Sequence, residues 1–139
     1  MDETRRQPWL RAVVLVGVGY AIIGVTFAWP ATHVRVWRLA AWLVSAAAFA
    51  AHIGYERYAL RNPPRRAAVH VALAVALGAF GLAVGAIVHS LSVVSTTEHR
   101  RLLLVALVVW PVMTGLPAFL VALGASTVLR RLTGDVQAN

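Results

Sequence analysis

The chain has 139 residues, 60% hydrophobic and only 13% charged, with a mean hydropathy of +0.73. Soluble domains carry about 25% charged residues, so a water-soluble globular fold is excluded. The formal charge of +8 comes from thirteen arginines and no lysine, and the lack of cysteine removes disulfides, thiolate metal sites and cysteine nucleophiles.

A bilayer's hydrocarbon layer asks for about 20 apolar residues per helix. Four stretches meet that demand: residues 9–29, 37–58, 67–94 and 102–129. None shows the polar/apolar alternation of a membrane-spanning strand. The expected fold is all-α: a four-transmembrane-helix, up-down antiparallel bundle forming one domain over residues 1–139, because the connections are short.

Arg5-Arg6 precede the first span, as in a secretory leader, but Asp2 and Glu3 share the leader region and the apolar run from Ala12 is too long for a signal core. An uncleaved span is expected. It carries a ridge of small residues, Gly17, Ala21, Gly24 and Ala28. Pro30-Ala31-Thr32-His33 leads to the second span, where Ser45, His52 and Glu56 share one helical face and His52–Glu56 is an i,i+4 pair. Asn62-Pro63-Pro64 should form the next tight turn, since Pro-Pro cannot continue a helix.

The third span repeats small residues at Ala67, Ala74, Gly78, Gly81, Gly85 and Ser92. In lipid, such residues mark faces where backbones approach closely. Spans one and three are therefore expected to be tightly buried, with Gly17, Gly24, Gly78, Gly81 and Gly85 as packing positions. His70 and His89 flank the third span's stripe and should face protein. Ser95-Thr96-Thr97-Glu98 is the third turn and a candidate cap for the last helix. The fourth span holds Pro111, Gly115 and Pro117 near its middle, which predicts a kink and a hinge.

Arginine placement threads the chain. Arg5, Arg6, Arg11, Arg57, Arg61, Arg65, Arg66, Arg130 and Arg131 flank the N-terminus, the second connection and the C-terminus; Arg35, Arg38, Arg100 and Arg101 flank the other two connections. Nine against four places both termini in the cytoplasm. The alanine, valine and arginine bias points to a bacterial plasma (inner) membrane. Arginines at helix ends, without a continuous basic face, read as snorkelling anchors beside anionic headgroups rather than as a nucleic-acid surface. The partners expected are the lipid bilayer and either a homo-oligomer or a larger membrane complex, with no nucleic acid.

Ionisable groups inside a span are costly and are candidates for function. His52, Glu56 and His70 all lie near the cytoplasmic boundary of spans joined by a tight turn, so they can meet. Three readings compete: a satisfied polar network that fixes helix register, a proton- or cation-responsive transport site, and axial ligation of a b-type haem by His52 and His70. No cofactor is predicted, and haem is the minor alternative. On the other side His33, His89, His99 and Glu98 are weak candidates for a metal. No Gly-rich phosphate loop, HExxH or GxSxG occurs, and no catalytic residue is assigned. The expectation is a small multi-pass membrane protein acting as a structural, accessory or sensory component through helix–helix contacts. The alternative is a homo-oligomeric proton- or cation-linked transporter or channel.

Overall fold

The computed structural model describes residues 8–28, 34–92 and 97–135. Among these residues there are four α-helices, α1 (Pro8–Ala28), α2 (Val34–Gly54), α3 (Pro64–Ser92) and α4 (Thr97–Asp135), and no strand. A five-residue π-turn, Tyr55–Ala59, prolongs α2. Each helix contributes a segment long and apolar enough to cross a membrane: Trp9–Thr26, Arg35–Ala59, Pro64–His89 and Arg101–Leu132. The all-α class and the four membrane-length helices read from composition are present.

Helix ends follow from local chemistry. Pro8 and Pro64 occupy first helical positions, where a missing N–H costs nothing. The π-turn closes with the Leu60 N–H donating to the Tyr55 carbonyl and the Asn62 N–H to the Glu56 carbonyl, both at 3.1 Å. Arg61 then takes a left-handed backbone conformation, φ 50°, which ends a helix at some cost for a residue with a Cβ. The Pro63 carbonyl accepts the Ala67 N–H at 3.0 Å, the first bond of α3.

α3 is the central helix. Ala67, Ala68, Val71, Ala74, Ala79 and Ala83 are buried along it, and their small side chains let neighbouring backbones close in. Towards α1 the fit is side chain into glycine. A Cβ added at Gly17 would lie 2.7 Å from Leu77 Cδ2, and one at Gly24 would lie 2.7 Å from Leu82 Cδ1. One at Gly78 would lie 2.6 Å from Tyr20 Cβ and 3.2 Å from the Gly17 carbonyl, and Gly81 faces Ala21. The glycine ridge of α1 thus meets the glycine stripe of α3. Gly85 stands apart, exposed and with nothing within 4 Å of a Cβ built there. Among its described side chains α1 is buried only at Val13 and Gly17, so it is an edge helix and not the enclosed one its small-residue ridge implies.

Towards α4, Gly115 approaches Ala76 Cβ (3.2 Å from an added Cβ) and the Ala72 carbonyl (3.5 Å). Ala118, Ala122 and Ser126 continue the same face at four-residue steps and are buried. Ala122 joins Ile53, Ala68 and Val71 in the largest buried apolar cluster. α4 runs unbroken through Pro111 and Pro117. Thr114 Oγ1 donates back to the Trp110 carbonyl at 2.9 Å and to the Pro111 carbonyl at 3.2 Å. The three predicted hinge residues therefore sit inside one continuous helix, and Gly115 is a contact with α3.

α2 is attached differently. No residue from 35 to 51 is buried; burial begins at His52, Ile53 and Glu56. Full burial on this helix is thus confined to its C-terminal end.

Candidate functional site

The buried end of α2 carries the polar residues. The π-turn turns Glu56 inward to full burial, while Tyr55 and Tyr58 on the same turn remain 50% and 60% exposed. Wide turns of this kind occur often at functional sites, because they re-aim one side chain against the helical register.

Glu56 is held from two other segments. His70 Nδ1, on α3, lies 3.1 Å from both Oε1 and Oε2. Asn62 Nδ2, in the turn, donates to Oε2 at 2.6 Å. His52 Nε2, one turn earlier on α2, is 3.9 Å from Oε1, an ion-pair distance and too long for a hydrogen bond. The indole of Trp9, on α1, stacks on the His70 ring with centroids 4.9 Å apart and planes 4° from parallel. Three helices and the turn between two of them converge on one carboxylate.

An Nδ1–H shared between two carboxylate oxygens matches this geometry. The Trp9 stack holds the His70 ring in the plane that this shared hydrogen bond uses. His52 is 4% exposed, and neither of its ring nitrogens has a hydrogen-bond partner among the described residues. Ser126, fully buried on α4, has an unpartnered hydroxyl as well. It stands one turn beyond Ala122 on the same face, at the end of the bundle where Ala122 meets Ile53, the neighbour of His52.

His52, Glu56 and His70 are thus brought together. The sequence reading named neither Asn62 nor Trp9 as a member of the site. The sequence places Asn62 in the turn and Trp9 at the start of the first span. Six residues separate Glu56 from Asn62, a spacing that only a helix end could turn into a contact, and the Pro-Pro pair after Asn62 was the available sign of that end.

Haem ligation does not fit these residues. His52 Nε2 and His70 Nδ1 converge on the same buried carboxylate, so an iron porphyrin between the two imidazoles would have to take the place of Glu56. Of the weak metal candidates, His89 is exposed at the far end of α3 and does not face protein as expected. His33 and the side chains of Glu98 and His99 lie outside the described residues. Among the described residues no group of three or more His, Asp or Glu side chains is arranged to hold a metal ion. No protein family, curated protein or solved structure matches the chain.

Proposed function

We propose that this chain is a four-span integral protein of a bacterial plasma membrane, threaded up and down with both termini in the cytoplasm. It works as a small structural, accessory or sensory component through helix–helix contacts. The observation that carries this reading is the fully buried Glu56 carboxylate, which ties α2 to α3 through His70 and to the turn through Asn62. Contacts that advance together along α1 and α3 and oppositely along α3 and α4 support the up-down arrangement. The cluster acts as a latch: it fixes one end of α2 and leaves the rest of that helix free to meet a partner. Pull-down of the tagged full-length protein from native membranes tests this. Wild type should carry a stoichiometric partner, a second copy of itself included, and Glu56→Ala should lose it. A wild-type protein that is monomeric and alone would overturn the reading.

A second reading, proton- or cation-linked transport, is favoured by His52, a buried imidazole with neither nitrogen hydrogen-bonded among the described residues, next to the buried Glu56 carboxylate. Proteoliposomes containing wild type, His52→Ala or Glu56→Gln separate the two. Under transport, wild type drives a proton flux that both variants lose; equal background rates in all three sink it.

A further inference from the structure

Because α2 is fully buried only at its C-terminal end, a space opens between the rest of it and the other three helices. It is a cavity of about 750 Å³, within the range of roughly 300–1,000 Å³ typical of small-molecule sites. Its walls are apolar and rich in aromatic rings, among them Trp42 and Phe49 of α2 and Trp110 of α4. Trp42 is 76% and Trp110 52% exposed. Both therefore stand at the rim, on outward faces of α2 and α4 where lipid would lie.

Three hydroxyl-bearing residues line the space: Tyr20, Ser45 and Thr114. Their depth decides what kind of molecule they suit. Each lies within three residues of the midpoint of its span, hence within ~4 Å of mid-membrane at 1.5 Å per residue. A phospholipid keeps its ester and headgroup at the interface, about 15 Å from the midplane of a 30 Å hydrocarbon layer. Its chains bring nothing polar to this level. Yet the Tyr20 hydroxyl is buried with no hydrogen-bond partner among the described residues, an unfavourable state for a donor in apolar surroundings. No ionisable side chain lines the cavity except the phenol of Tyr20, so a charged ligand would find no counter-charge.

We propose that this cavity binds a neutral, ring-bearing lipophile carrying a carbonyl group. Its ring lies among Trp42, Phe49 and Trp110, where aromatic faces and edges pack favourably, and its carbonyl accepts the Tyr20 O–H once the phenol turns to bring that oxygen, closed off in the ligand-free protein, into the space. The hydroxyl hydrogen of Thr114 is already given to backbone carbonyls, so its oxygen remains an acceptor for a second polar group on the same ligand. The proposal stands on the cavity alone and does not depend on what the Glu56 cluster does.

The test uses full-length protein in lipid nanodiscs and decylubiquinone as the probe, read by quenching of tryptophan fluorescence, with hexadecane and added phospholipid as competitors. Wild type should quench saturably, and neither competitor should reverse it. Tyr20→Phe should weaken binding by about five- to tenfold, the loss expected for one buried hydrogen bond, while the melting temperature stays the same or rises. Ala46→Phe, which fills the cavity from its exposed lip, should abolish saturation, and Ala47→Phe, outside the lining, should behave as wild type. Linear quenching by wild type would overturn the proposal. So would full competition by phospholipid, or unchanged affinity in Ala46→Phe. If Tyr20→Phe does not fold, Ala46→Phe against Ala47→Phe still decides. Cross-linking that places a second copy in the groove would also overturn it.

Discussion

Glu56 has no contact with solvent, so any change there is felt through His70 and Asn62. Removing one member of a buried, hydrogen-bonded pair costs about 3–5 kcal/mol, because the other is left unpaired. Polar contacts between membrane helices run weaker, averaging about 0.6 kcal/mol, since the unfolded chain in lipid finds other partners. The cluster sits at a helix end closed by a turn, where such substitutes are few, so the lower end of the range of about 3–5 kcal/mol should apply. Glu56→Ala is expected to destabilise by about 3 kcal/mol. Glu56→Gln keeps one acceptor oxygen for His70 but puts an amide N–H₂ where Oε2 accepts from Asn62, so about 1–2 kcal/mol is expected. Asn62→Ala removes one donor while His70 remains, and about 1 kcal/mol is expected. Thermal melts in a single detergent should rank the three in that order. A Glu56→Ala protein that melts like wild type would show that the carboxylate holds nothing together.

At the scale of the helix, α1 and α3 associate through absent side chains. There is little hydrophobic drive between helices in lipid, so close packing carries the contact. Gly78 is its tightest point: the first atom of any side chain there meets Tyr20 Cβ and the backbone of Gly17. Gly78→Ala should destabilise by about 1–3 kcal/mol, the usual range for overpacking. Gly85→Ala, in open space, should be neutral or stabilise by up to about 1 kcal/mol through helix propensity. Equal melting temperatures for the two variants would contradict the packing described. This pair also shows what a sequence can reveal. The ridge Gly17–Ala21–Gly24 and the stripe through Gly78 and Gly81 were legible because small residues at helical spacing mark a close face whatever lies opposite. Gly85 carries the same mark and lies open, since spacing fixes a face but not the length of the contact. The π-turn was not legible, as it depends on Glu56 finding partners in the following turn and in α3. The one-ended burial of α2 was hidden for a related reason: hydropathy averages over all faces of a helix and does not say which stretch of it is covered.

For the molecule as a whole, threading is the property on which the functional readings rest. It decides whether the latch and the Asn62 turn face the cytoplasm. The charge argument sets nine arginines against four, counted near span ends where they influence insertion. Three of the nine, Arg61, Arg65 and Arg66, belong to the connection between α2 and α3, next to Asn62. Because the chain has no cysteine, single cysteines report side without background. In intact cells a membrane-impermeant maleimide should label Ser95→Cys and leave Arg65→Cys and Asn139→Cys unlabelled until the membrane is opened. Replacing Arg61, Arg65 and Arg66 with glutamine reduces the contrast from nine against four to six against four. In that background Ser95→Cys and Asn139→Cys should each become partly labelled in intact cells, as two orientations coexist. Labelling of Asn139→Cys in intact cells with all thirteen arginines present would invert the orientation. The Glu56 cluster would then lie at the outer end of the bundle.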